Sequence, residues 1–224
     1  MVVVVIAAVI VTLTVTGGDD QAVDPNDSGS VSSSDSSSAS DSVSDSVTDS
    51  GSDSASPTDD PSPVDVPDGA IAGHDANYYF TPPGPAWNDA YEEAATRGLG
   101  PTLDSFIVLG KNIALAQSNI LVEEVPVGTD ATVEDLADQW KRNLSGSDGA
   151  TPTDIDDIIL DGEHAIGVTF SGRVNDSNIE FDQRVYLAVH DGQEYSVALS
   201  YPSSGDNVSN DDFDTFLDSW HWTS

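Results

Sequence analysis

Every Trp, Tyr and Phe of this chain lies between Tyr78 and Trp222. Aromatic side chains carry a large share of the apolar area that closes a core, so whatever folds here must fold in that stretch. All six Lys and Arg residues fall inside it too, from Arg97 to Arg184. Ahead of it, residues 19–69 hold 17 Ser and 13 Asp, with no Lys, Arg or aromatic residue. Ahead of that again, residues 1–16 carry no charge. The 224 residues therefore divide into an apolar segment at 1–16, a Ser/Asp-rich linker at 17–69 and a domain at 70–224. The last is long enough for one domain with a core of its own.

The apolar segment is read as a membrane or export signal. Val2 to Val15 is interrupted only by Thr12 and Thr14, whose hydroxyls can bond back to a helical backbone. Fourteen helical residues span roughly 21 Å, short of the about 30 Å hydrocarbon core of a bilayer. That length suits the hydrophobic region of a signal peptide or a short anchor. A basic flank and an A-x-A cleavage site are both missing from Met1–Ser30. One explanation is a true start upstream of Met1 with a basic stretch there; whether Met1 is the start, and whether the segment is cleaved, stay open. A buried strand is the other use of so much Val and Ile, but the long linker separates it from any core. With nothing to hold the Asp-rich side in the cytoplasm, the bulk of the chain is expected outside: a single-pass anchor with an extracellular domain, or a secreted protein if the segment is cut.

The linker is expected to be disordered. Ser40-Asp41-Ser42-Val43-Ser44-Asp45-Ser46 typifies it, with too little apolar surface to offset chain entropy. As a flexible coil it would reach roughly 40 Å, and further with like charges repelling. Pro57, Pro61, Pro63 and Pro67 stiffen its end. A spacer through an envelope layer is the simple reading; a phosphorylated or glycosylated Ser tract is the other.

Within the domain the clearest pattern is at the end. Ile179, Phe181, Val185, Leu187 and Val189 alternate with Glu180, Asp182, Arg184 and His190, a half-buried strand. Asp191-Gly192 signals a two-residue turn. Tyr195, Val197, Leu199 and Tyr201 then alternate again, predicting a hairpin. Ile166, Val168 and Phe170 add an upstream strand, linked through Asn175 to Asn178, for an antiparallel meander. Val133, Leu136, Ala137, Trp140 and Leu144 form one helical stripe, started by Thr132 with Asp135 and stopped at Gly146. Phe213, Phe216, Leu217 and Trp220 form a second, with Asn210 as its cap and Asp211, Asp212 and Asp214 complementing its dipole. These aromatics are the core side of a helix before they are a ligand pocket. Nearer the front, Asn77–Thr81, Ser105–Leu109 and Asn119–Val127 are expected strands, and Trp87–Arg97 a helix. That order predicts an α+β domain with a mainly antiparallel sheet.

Several local features resemble the Mog1/PsbP-like α/β/α sandwich, and within it the LpqN-type actinobacterial cell-envelope lipoproteins. They are Tyr79-Phe80-Thr81-Pro82-Pro83 leading to Trp87, Asn119-Ile120-Leu121-Val122 before the Thr132–Leu144 helix, Leu160-Asp161-Gly162-Glu163-His164-Ala165 before the meander, and the closing Phe213-x-x-Phe216-Leu217-x-x-Trp220 helix. The likeness covers residues 76–222. It implies an extracytoplasmic domain that binds a protein or envelope component, and it carries over no catalytic residue. LpqN-type proteins commonly bear a lipobox Cys; this chain has no Cys, so an uncleaved anchor or a released form is expected instead of a lipid anchor.

Composition removes whole classes of chemistry. Disulfides, thiol catalysis and Cys-ligated zinc need Cys. Six basic against 40 acidic residues, a formal charge of −34, argue against nucleic acid, whose phosphates need cations. His74, His164, His190 and His221 form no H-E-x-x-H pattern, and no nucleophile elbow, P-loop or dinucleotide fingerprint occurs. His164 shares parity with Ile166 and is expected as a structural residue at the edge of the core face. Asp154-x-Asp156-Asp157 and Asp211-Asp212-x-Asp214 are candidates for weak Ca²⁺ binding, but the first reads rather as a loop before a strand at Ile158–Leu160. Asp211-Asp212-x-Asp214 reads as a helix N-terminus, and neither has the EF-hand spacing. No catalytic, cofactor or metal residue is assigned, and no cofactor is expected.

The acidity predicts a soluble, monomeric domain that favours basic partners. Adaptation to high salt is the competing reading: unfolding at low ionic strength supports it, and a melting temperature indifferent to salt rejects it. The function expected is a membrane-tethered, extracytoplasmic, non-catalytic binding domain of the cell envelope, taking an envelope protein or an amphiphilic ligand. The alternative is a secreted, glycosidase-like hydrolase with two carboxyls about 5–10 Å apart in a cleft.

Overall fold

The computed structural model describes residues 65–145, 150–175, 178–204 and 208–223. The segment at 1–16, the linker to residue 64 and the helix stop expected at Gly146 lie outside the described residues. Among those described, no helix is long and apolar enough to cross a membrane.

In chain order the elements are β1 (Ile71–Ala72), β2 (Tyr78–Phe80), β3 (Trp87–Asp89), α1 (Tyr91–Thr96), β4 (Leu103–Leu109), a 3-10 turn (Ile113–Leu115) and β5 (Ser118–Pro126). There follow α2 (Val133–Leu144), β6 (Thr153–Leu160), β7 (Glu163–Val174), β8 (Glu180–His190), β9 (Gln193–Pro202), α3 (Val208–Asp218) and β10 (His221–Trp222). The main sheet runs β3-β4-β5-β9-β8-β7-β6, with every neighbouring pair antiparallel. A small sheet, β1-β2-β10, joins the start of the domain to its end.

Turn chemistry sets the hairpins. Asp191 and Gly192 take φ of 46° and 77°, and Asp161 and Gly162 take 43° and 96°. Positive φ at both central residues is the type I′ turn that matches strand twist. The meander expected from Ile166 to Tyr201 is present as β7-β8-β9, and β6 extends it.

Helices cover both faces of the sheet. On one, α1 and α2 lay Ala94, Val133, Trp140 and Leu144 over Phe106, Leu121, Val185 and Leu187. On the other, α3, the connection after it and the small sheet lay Phe213, Phe216, Trp220, Tyr78 and Phe80 over Ile120, Tyr186, Val197 and Leu199. The second face is aromatic: Tyr78 stacks on Trp220 at 3.9 Å and Phe80 meets Phe216 at 4.6 Å between ring centroids. Each such side chain contributes roughly 1.5–3 kcal/mol on burial. Helix α2 begins with a full capping box, Thr132 Oγ1 accepting from the Asp135 N–H and Asp135 accepting from the Thr132 N–H, both at 3.3 Å.

The fold is the α+β class with an antiparallel sheet, and four expectations need correction. Trp87–Arg97 is not one helix: Trp87–Asp89 pairs with β4, and helix begins only at Tyr91. Trp87 is spent on the aromatic core, where its Nε1 donates to Asp212 at 2.7 Å. Strands β8 and β9 are buried on both faces, because α2 and α3 sandwich them; Tyr186 and Ala188 are as buried as Val185 and Leu187. Asp154, Asp156 and Asp157 lie in β6 and not in a loop. Asn210 lies inside α3, which begins at Val208.

Candidate functional site

Among the described residues, strand β6 is an edge of the main sheet, eight residues long and paired with β7 alone. No other described strand pairs with its outer edge, and an edge of that kind is a template for an added strand. A bulge between Ile155 and Ile158 breaks its register. Asp154, Asp156 and Asp157 are exposed, and Ile159 is 68% exposed beside them. An open trough of about 430 Å³ lies along this edge, lined by Lys141, Asp154, Ile155, Asp156, Asp157 and Ile166. Lys141 Nζ pairs with Asp154 at 2.6 Å across it. Around the edge, Arg184 pairs with Asp214 at 2.7 Å and lies over the Tyr186 and Phe213 rings. The surface is acidic, shallow and partly apolar, suited to an extended basic segment and not to an enclosed small molecule.

A second concentration of acid sits at the far end of β5. Alternation sends Glu123 to the α2 face and Glu124 to the α3 face. Glu123 is 4% exposed and Glu194, from β9, 5%. Burial, with the Glu194 charge beside it, pushes the Glu123 carboxyl up to about 7, against the Thr102 hydroxyl donating to it at 2.9 Å. Burial alone raises Glu194 to about 6. On the other face Glu124 is raised to about 7 by burial and then by Asp104, while the Asn77 amide donates to it at 2.7 Å. Asp104 is the extra residue of a bulge between Leu103 and Ser105, a device that re-aims a side chain. Its Oδ1 accepts from the Asp75 N–H at 2.9 Å, and its carbonyl accepts from the His74 N–H at 3.1 Å. Gly73 is required here, since a Cβ would collide with Asp104 Oδ2 and the Tyr78 ring. Among the described residues, Asp75, Asp104 and Glu124 are the one acidic group compact enough to hold a metal ion.

The four histidines are not gathered. His164 is exposed, on the side of Ile166, between Glu134 at 3.0 Å and Asp157 at 3.1 Å; the Glu134 hydrogen bond, with Asp157, raises its imidazole above the usual value. His190 stacks on Trp222 at 4.3 Å and meets Glu163 at 3.0 Å. His74 stacks on Tyr91, and His221 lies against Tyr79 and Asp161. Asp212 and Asp214 are taken by Trp87 and Arg184. Sequence reading passed over Asp104 and Glu124, although the signal was there: both are charges inside apolar strands, in Leu103-Asp104-Ser105-Phe106-Ile107 and Val122-Glu123-Glu124-Val125.

No family model matches the chain, and no curated protein matches it. Among solved structures it is similar to a cyanobacterial PsbP, CyanoP of Synechocystis, at 17% identity and TM-score 0.48, over 68% of this chain and 91% of that one. It is similar to a Bacteroides thetaiotaomicron protein at 6% identity and TM-score 0.48, over 69% of this chain and 48% of that one. It is also similar to the Saccharomyces cerevisiae Ran-binding protein Mog1p at 11% identity and TM-score 0.47, over 69% and 95%. Likeness at this level assigns no family and no activity to the chain.

Proposed function

We propose that this chain is a membrane-tethered, extracytoplasmic, non-catalytic binding domain of the cell envelope, and that its contact surface is the β6 edge. The observation that carries this is the open edge strand itself, with Ile159 exposed among Asp154, Asp156 and Asp157. An added strand takes affinity from backbone pairing and specificity from alternate side chains. The carboxylates favour a basic segment, and the chain's charge of −34 favours its approach. The Mog1/PsbP-like, LpqN-type resemblance agrees with this role, and residues 1–69 supply the anchor and reach that such a role needs.

The acids that burial raises, and that a hydrolase could draw on, are Glu124, grouped with Asp104 and Asp75, and the pair Glu123 and Glu194. Glu123 and Glu194 are almost wholly enclosed, whereas a glycosidase sets its two carboxyls on either side of an accessible bond. The deciding experiment places a photo-crosslinking side chain at position 159 in the full-length protein in its native membrane, with the exposed Ala95 of α1 as control. A discrete adduct from 159 and none from 95 is expected. No adduct, or the same adducts from both sites, overturns the edge as the contact surface. Glycoside turnover that disappears in Glu123→Gln or Glu124→Gln overturns the non-catalytic reading.

A further inference from the structure

We propose that Asp75, Asp104 and Glu124 form a binding site for a divalent cation, with Ca²⁺ the ion that fits best. One oxygen from each of the three carboxylates lies within 4.8 Å of the others. Two ligands on one Ca²⁺, each at about 2.3–2.6 Å, stand at most about 5 Å apart. Mg²⁺ holds its ligands at about 2.0–2.1 Å and is reluctant to shed water, so the same spread suits it less well.

A cluster of acids is common on so acidic a chain, and a separate observation distinguishes this one. Asp104 is 5% exposed, and its Oδ2 is buried with no hydrogen bond. The Tyr78 hydroxyl shares a 2.7 Å hydrogen bond with Ser105 Oγ in which either group can donate, and burial, then the Asp104 carboxylate beside it, raises its phenol. Glu124 Oε2 is likewise buried without a hydrogen bond. A buried carboxylate oxygen left without a hydrogen bond is costly, and the residues of this cluster hold two. No ion pair among the described residues reaches these acids. Arg97, Lys141 and Arg184 are paired elsewhere, with Glu93, Asp154 and Asp214. A bound cation would supply the missing positive charge where one oxygen from each acid converges.

The site also has a rigid frame and an entrance. Asp104 is fixed by the β4 bulge and the Asp75 N–H, and Glu124 by the Asn77 amide. Asp75 is exposed at the rim, leaving one side open for the ion and its remaining waters. The cluster ties the loop between β1 and β2 to β4 and β5, so occupancy would lock the small sheet onto the main one.

The test uses the purified full chain, CaCl2 or MgCl2 as the added salt, and NaCl adjusted to constant ionic strength. Saturable Ca²⁺ binding by calorimetry is expected, with a rise in melting temperature that equimolar MgCl2 does not reproduce. Asp104→Asn and Asp75→Asn should each weaken Ca²⁺ at least tenfold, and Asp154→Asn at the β6 edge should leave it unchanged. Should Asp104→Asn fail to fold, Asp75→Asn at the exposed rim carries the comparison. Tb³⁺ gives a second readout on the wild type: emission sensitised through Tyr78, which Ca²⁺ displaces. Absence of saturable binding, binding unchanged in Asp75→Asn, or equal loss in Asp154→Asn overturns the site.

Discussion

Glu123 and Glu124 are consecutive residues of one strand, and the two faces of the sheet treat them differently. Glu123 is enclosed on the α2 face with Glu194 for a neighbour and a single hydroxyl donor from Thr102. Glu124 is half-buried on the α3 face, in a group of three acids whose outermost member, Asp75, reaches water. Both carboxyls are pushed to about 7, chiefly by burial. A sealed pair has one way to shed its charge, which is to take a proton. An open group of acids with fixed geometry has a second way, which is to take a cation. Access and spacing, more than acidity, separate a strained structural pair from a ligand site.

The faces also differ in what fills them, and the largest expected effect tests that. Trp220→Ala removes the ring stacked on Tyr78 and should destabilise the domain by about 3–5 kcal/mol. Leu144→Ala, at the end of α2 on the aliphatic face, should cost about 2–3 kcal/mol. Denaturant unfolding at one fixed salt concentration compares them, and equal losses would make the faces energetically alike.

The second prediction concerns the sealed acid. With its carboxyl raised to about 7, folded Glu123 keeps a proton that the unfolded chain releases above its ordinary value. Unfolding therefore releases protons, and this group's contribution falls as pH rises from about 4.5 to 7. Glu123→Gln mimics the protonated acid. It should stabilise the protein by about 1–3 kcal/mol at pH 8, a gain that vanishes near pH 4.5; unfolding curves at the two pH values check it. A gain that persists at low pH would mean that packing, not charge, is responsible.

Loosening the cover of the Glu123 face should matter less. Thr132→Ala deletes half of the α2 capping box and should cost about 1 kcal/mol, with the Ca²⁺ response of the opposite face untouched. Smallest of all, Lys141→Met removes an exposed ion pair at the β6 edge. It should change stability by less than about 0.5 kcal/mol in the same unfolding assay.

Much of the fold was legible because its signals are local. Asp191-Gly192 marks the β8–β9 hairpin, Thr132 with Asp135 marks the start of α2, and the Phe213–Trp220 stripe marks α3. Trp87–Asp89 was missed because three residues have no period, and only the edge of β4 makes them a strand. The two-sided burial of β8 and β9 was missed for a related reason. Ser196, Ala198 and Ser200 are small or polar and look like a solvent face, until α2 is laid over them and Trp140 Nε1 donates to Ser196 at 3.1 Å.

By itself the sequence determined where the folded domain lies, its class, its principal hairpin and the bias of its charge, since these follow from composition, period and turn residues that are neighbours along the chain. Tertiary structure alone decided which acids meet. Asp75, Asp104 and Glu124 come from a loop, a bulge and a strand separated by dozens of residues of chain, and a single added residue in β4 is what turns Asp104 towards the other two. Convergence of that kind depends on strand register and bulge placement, which no stretch of neighbouring residues encodes.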